Sequence, residues 1–91
     1  MDDKKNINKK VHSLILENRY KLTVNGIDDV ESFDENNIVL IVDQDILIIK
    51  GSNLKINKIN TDTGDAFIEG DIYSLEYGQF QKKGLFSRFF R

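Results

Sequence analysis

From His12 onward the apolar residues of the chain return every second position rather than every third or fourth. Tyr20, Leu22 and Val24 alternate with Lys21, Thr23 and Asn25. In a strand, successive side chains point to opposite faces, so this spacing predicts a half-buried β-strand. Ser13–Glu17 precedes it as a further strand, with Asn18-Arg19 as the turn between them. Gly26 then offers a backbone position free to take positive φ. Val30–Phe33 is a short strand that ends in the turn-rich Asp34-Glu35-Asn36-Asn37. The next stretch, IVLIVDQDILIIK, has a different texture. Ile38–Val42 and Ile46–Ile49 are almost continuously apolar and β-branched, and they flank Asp43-Gln44-Asp45 as two arms of a hairpin flank its loop. Unbroken apolar character predicts strands covered on both faces. Gly51-Ser52-Asn53 reads as a break, Leu54, Ile56 and Ile59 as another strand, and Thr61–Asp65 as a turn. Ala66–Glu69, Gly70-Asp71 and Ile72–Tyr77 complete the pattern as strand, turn and strand.

The expected fold is therefore all-β. It is a single small domain of about eight short, mainly antiparallel strands, arranged as a meander roll, barrel or sandwich. Residues 1–11 form a charged N-terminal arm, 12–78 the β-domain, and 79–91 a basic aromatic C-terminal segment. Only in that last segment does a helical stripe arise. As a helix, it would place Leu85, Phe86, Phe89 and Phe90 on one side, because 85/89 and 86/90 are four residues apart.

Composition adds two constraints. At 91 residues the chain makes one domain with a thin core, which favours a partner or a second copy. It contains no cysteine, so disulfides, thiolate metal sites and a cysteine nucleophile are excluded. Its longest apolar runs fall far short of the ~20 residues of a membrane-spanning helix, and its start lacks the apolar core of a secretory signal.

Charge changes the picture more. The formal net charge is −2, but residues 1–81 hold nine of the 13 basic residues and all 15 acidic ones, a net of −6. Residues 82–91 carry +4 from Lys82, Lys83, Arg88 and Arg91. An acidic body without a basic face is not that of a nucleic-acid binder. The cations of the end, with Leu85, Phe86, Phe89 and Phe90, are candidate membrane- or partner-binding residues. They suit an anionic membrane interface, a hydrophobic groove on a partner or second copy, or the protein's own core.

No motif selects a reaction. The acidic turns do not complete a calcium loop, since Ile occupies a ligand slot after Asp34-Glu35-Asn36-Asn37; Asp and Asn there bond their own turn backbones. His12, the single histidine, has no second zinc-type ligand and is expected at a strand edge. No phosphate-binding glycine loop or serine elbow can be written. Tyr73, Leu75 and Tyr77 share one face of the last strand and are expected in the core. The expectation is a non-enzymatic protein with no catalytic residues, no metal and no cofactor.

Four stretches in order carry a resemblance: LENR (Leu16–Arg19), VESFDE (Val30–Glu35), IKGSNLKI (Ile49–Ile56) and IEGDI with SLEY (Ile68–Ile72, Ser74–Tyr77). Together they resemble the YabP family of endospore-forming bacteria over about residues 12–78. The related YqfC family shares the general pattern; VESF and the basic aromatic end favour YabP. The resemblance implies a non-enzymatic sporulation protein of the mother-cell cytoplasm, with peripheral attachment at the membrane facing the forespore. The family's gene neighbourhood points to the membrane sporulation protein YabQ as a partner; the basic aromatic end adds a second copy of the chain or an anionic membrane surface, and the acidic body speaks against nucleic acid. With the charge split and the phenylalanine stripe of the C-terminal segment, the expected function is a membrane-proximal adaptor or scaffold. The alternatives are a self-assembling structural protein of the spore and a small-ligand-binding β-domain.

Overall fold

The computed structural model describes residues 11–79. Within them lie six strands: β1 (Ser13–Glu17), β2 (Lys21–Asn25), β3 (Asp29–Phe33), β4 (Asn37–Val42), β5 (Asp45–Asn60) and β6 (Asp65–Gln79). All pairings are antiparallel, in one sheet of order β1-β2-β6-β5-β4-β3. β1 and β3 are therefore its open edges. The all-β class holds, and the helix expected after residue 79 lies outside the described residues.

Six strands replace about eight because β5 and β6 run through their expected breaks. Each is long, 16 and 15 residues, and each serves two neighbourhoods. Lys55–Asn60 and Asp65–Glu69 form one half of the sheet with β2 and β1. Asp45–Lys50 and Ser74–Gln79 form the other half with β4 and β3. Between the halves the register shifts twice, at Lys50/Gly51 and Ser52/Lys55. Such bulges bend a strand without ending it. Gly51 and Gly70 make the bend sterically feasible. A Cβ on Gly51 would collide with the Asp71 carbonyl oxygen, and Gly70 takes φ +143° beside Leu54.

The bend leaves backbone N–H groups that the opposite strand does not reach, and two hairpin loops accept from them. Gly51 N–H donates to Asn36 O (3.0 Å) and Leu54 N–H to Glu35 O (2.9 Å). From the other side Gly70 N–H donates to Tyr20 O and Ile72 N–H to Arg19 O, both at 3.0 Å. Asn18 and Arg19 both have positive φ (55° and 52°), the backbone that turns β1 into β2.

Folded at this bend, the halves share one core. β2 contributes Leu22 and Val24, β4 Ile38, Leu40 and Val42, β5 Leu47 and Ile49, and β6 Ala66 and Ile68. At the far end, the β2–β3 connection crosses from one half to the other. Ile27 N–H donates to Gly64 O (3.0 Å) and Asp28 N–H to Ile41 O (2.7 Å), while the Ile27 side chain is fully buried. The turns use the chemistry expected of them. Asp34 Oδ1 accepts from the N–H groups of Asn36 and Asn37, and Asn60 Oδ1 from those of Asp62 and Thr63.

One expected core face does not form. Tyr73 is 69% exposed and Tyr77 57%, and only Leu75 of the three packs against the core. For Tyr73 the reason is the bulge opposite Lys50/Gly51, which takes it in as the extra residue, while Tyr77 keeps the inward register opposite Leu47 near the end of β6. Ile72 and Leu75 then both face inward, and Tyr73 points out, its hydroxyl 3.1 Å from Ser52 Oγ.

Candidate interaction surface and polar strut

The polar residues concentrate at the open end of the roll, where His12 joins the two halves. Its Nδ1 lies 2.9 Å from Asn25 O, a carbonyl that can only accept. The ring therefore carries its proton on Nδ1 when neutral, and Nε2 accepts from the Tyr77 hydroxyl at 2.7 Å. The two rings meet edge to face, with centroids 5.7 Å apart. Burial pushes the Tyr77 phenol up, so it stays protonated and able to donate.

Asn25 extends the network. Its Nδ2 donates to Asp65 Oδ1 (2.7 Å), its Oδ1 accepts from Ser13 Oγ (3.3 Å), and Thr63 Oγ1 donates to Asp65 Oδ2 (2.8 Å). The Asn25 amide, then the Thr63 hydroxyl and the Lys58 charge, hold the Asp65 carboxyl below the usual carboxylate range against a smaller opposing effect of burial. Each polar atom named here has a structural partner, so the arrangement works as a strut between β1, β2 and β6. His12 is half-buried where the chain enters edge strand β1, and its link to Tyr77 spans 65 residues. No local signal in the sequence could have found that pairing.

The outward faces of the two halves differ sharply. On the half built from β1 and β2, opposite charges alternate in register along one row: Glu17, Lys21, Glu69 and Lys55. The adjacent row is Ile15, Thr23, Phe67 and Lys58, with the Lys58 ammonium 5.9 Å from the centre of the Phe67 ring. On the half built from β3 and β4, the outward residues are Val39, Ile41, Ile46 and Ile48. They form a second apolar cluster, separate from the core. A shallow groove of about 450 Å³ runs beside it, edged by Ser32, Asn37, Lys50 and Glu76. Asp34 and Glu76 both line the groove, and His12 does not.

The two open edges also differ. β3 carries Asp29 and Glu31 and is interrupted by an irregularity between Val30 and Ser32, features that blunt an edge against further pairing. β1 pairs regularly over its whole length and shows Ile15 at 56% exposure, with no charge before Glu17. Among the described residues no three of His, Cys, Asp or Glu come together as metal ligands, and no helix is long and apolar enough to cross a membrane. Lys82, Lys83, Leu85, Phe86, Arg88, Phe89, Phe90 and Arg91, the binding residues expected from the sequence, lie outside the described residues.

Fold and surface together define a small antiparallel roll whose clustered polar groups brace its own halves and whose apolar side chains also gather on one outward face. The chain belongs to the YabP family, whose model matches residues 8–84. It is 30% identical over 84 residues to the spore protein YabP of Bacillus subtilis (strain 168), a match covering 88% of this chain and 84% of that protein.

Proposed function

We propose that this chain is a non-enzymatic adaptor or scaffold of endospore formation, working through its surfaces and close to a membrane. Family membership supports the process, since the matched relative is a spore protein. The observation that carries the adaptor reading is the asymmetry of the sheet edges. β1 offers an unblunted row of backbone donors and acceptors beside Ile15, the geometry on which an extended segment of a partner adds as a further strand. A membrane protein of the sporulating mother cell, such as YabQ, is the kind of partner this reading calls for.

Membrane proximity is supported by the four cations of residues 82–91, which follow an acidic body. Near an anionic bilayer each is worth roughly 1 kcal/mol. The test is co-sedimentation with anionic vesicles of the full chain and of a chain ending at Gln81. The full chain is expected to pellet with the vesicles at low salt and the shortened one to stay in solution. Equal partitioning would overturn the membrane part of the reading.

A further inference from the structure

The sequence of β1 reads nearly alike from both ends. Ser13-Leu14-Ile15-Leu16-Glu17 has Ile15 at its centre, a leucine on each side and a polar residue at each end. Leu14 packs against the core and Leu16 shares its face, while Ser13, Ile15 and Glu17 point outward.

The backbone of this strand is open on one side. Glu17 O accepts from Tyr20 N–H (2.9 Å), so Glu17 turns its backbone groups toward β2. Tyr20 O accepts from Gly70 N–H, which turns Leu22 and Val24 toward β6 and leaves Lys21, Thr23 and Asn25 facing β1. The two hydrogen bonds agree: Ser13, Ile15 and Glu17 bond to β2, and the N–H and C=O groups of Leu14 and Leu16 point away from the sheet. Among the described residues no strand meets them.

We propose that this edge pairs with β1 of a second copy, antiparallel, about a twofold axis through Ile15. This pairing rests on the adaptor reading of β1 as an open edge, and it fills that edge in the free protein. Three observations favour a second copy over a foreign segment. The first is hydrogen bonding. A twofold at Ile15 sets Leu14 against the partner's Leu16 and Leu16 against the partner's Leu14, so the open groups of each copy meet those of the other. Ile15 then meets its own counterpart in the pair type without backbone bonds, where Cα atoms approach to about 4.5 Å. The second is apolar surface. Ile15 is 56% exposed and Leu16, on the core side, 37%. In this register each lies against an aliphatic side chain of the partner. The third is charge. Glu17 is the only charged residue of the strand, and it falls opposite Ser13 rather than another acid, with Lys21 on its other side. Moving the axis to Leu14 or Leu16 would set Ile15 against Ser13 or Glu17 instead, so the outward row also fixes the register.

Paired in this way, the sheets of the two copies continue into one across the axis. A strand from another protein then adds only by displacing the second copy, so self-pairing sets a threshold for any other use of β1.

The chain contains no cysteine, so Ile15→Cys places a single thiol at the axis of the full-length protein. A Cα separation of about 4.5 Å is within disulfide reach. Under mild oxidation this variant is expected to form a covalent dimer several-fold faster than Phe33→Cys, a more exposed site on β3. Sedimentation velocity of the unaltered chain, from about 1 to about 100 µM, is expected to show a dimer that Ile15→Lys converts to a monomer. Ile15 lies outside the core, and circular dichroism checks that the variant keeps its sheet. Ser13→Lys, facing the partner's Glu17, is expected to tighten the dimer and Ser13→Glu to loosen it. Amide exchange separates this result from the fate of the adaptor reading. The Leu14 and Leu16 N–H groups are expected to exchange slowly in the dimer and fast in Ile15→Lys. A monomer at every concentration with both amides fast would overturn the proposal and leave β1 open to a foreign strand. A monomer with both amides slow would overturn the proposal and the open edge together. A dimer that survives Ile15→Lys, or equal crosslinking of the two cysteine variants, would place the interface elsewhere and overturn the proposal alone.

Discussion

The two halves of the sheet share β5 and β6, yet their outward faces have little in common. Along β5 the change happens within a single strand. Ile46–Ile49 is apolar without interruption and buried on both sides, while from Leu54 the pattern alternates with Lys55, Asn57 and Lys58 turned to water. β6 does the opposite, carrying Ala66 and Ile68 in the core of the charged-face half and Glu76 on the rim of the apolar one. The comparison shows that the covering of a sheet is set locally, by a few residues, rather than strand by strand. It also shows that an unbroken apolar run reports burial on both faces even where the sheet supplies cover for only one.

The comparison can be broken most directly with one substitution made twice. Ile48→Ala on the apolar face is expected to cost about 3 kcal/mol, the usual loss for truncating a buried aliphatic side chain. Ile15→Ala, outward on the charged-face half, is expected to stay within about 0.5 kcal/mol. Chemical denaturation of both variants reads the difference, and similar losses would erase the distinction between the faces. The bend that separates the halves comes next. Gly70→Ala is expected to cost about 2 kcal/mol through its positive φ, and to lower the stability of both halves together in a single transition. Separate transitions for the two halves would show that the shared strands do not couple them.

Smaller effects test the strut at the open end. Tyr77→Phe removes the hydroxyl that His12 accepts from, and about 1 kcal/mol of stability should go with it. A matching loss in His12→Ala, with no further loss when both are changed, would locate the effect in their hydrogen bond. The smallest is a pH effect on the charged-face half. Because the Asp65 carboxyl titrates lower in the folded protein than the usual 3.8, its contribution is complete above that value. It is lost as pH falls through the depressed folded value. Asp65→Asn should therefore flatten part of the acid side of a stability–pH curve and leave the neutral side nearly parallel to wild type.

Much of this was legible in the residues. The alternation of Leu22 and Val24 with Lys21, Thr23 and Asn25, the apolar runs around Asp43-Gln44-Asp45, and the turns at Asp34–Asn37 and Thr61–Asp65 all describe local backbone choices, and the structure follows them, while Tyr20 falls in the turn before β2 and is exposed. Gly51 and Gly70 were misread because glycine in a turn and glycine at a bulge look alike along the chain; what distinguishes them is the close approach of Asp71 and Leu54 from the opposite strand. Tyr73 was misplaced by the same bulge, which shifts the inward register by one residue. The His12–Tyr77 contact depends on the two halves folding together at the bend, a property no window of sequence contains. The family resemblance carried by LENR, VESFDE, IKGSNLKI and IEGDI with SLEY was legible as well, and the family match now covers residues 8–84.

The strand order has a consequence for how the molecule is made. β6 lies between β2 and β5, although it is the last of the six to emerge during synthesis. A nascent chain that has reached Asn60 can form the β1–β2 hairpin and the β3–β4–β5 meander. It has no strand to join them, and Leu22, Val24 and the inward side of β5 remain uncovered. Completion must await Asp65–Gln79, so the fold closes only as the C-terminal end arrives, and until then the unpaired flanks of β2 and β5 are open to the neighbouring chains of the same message.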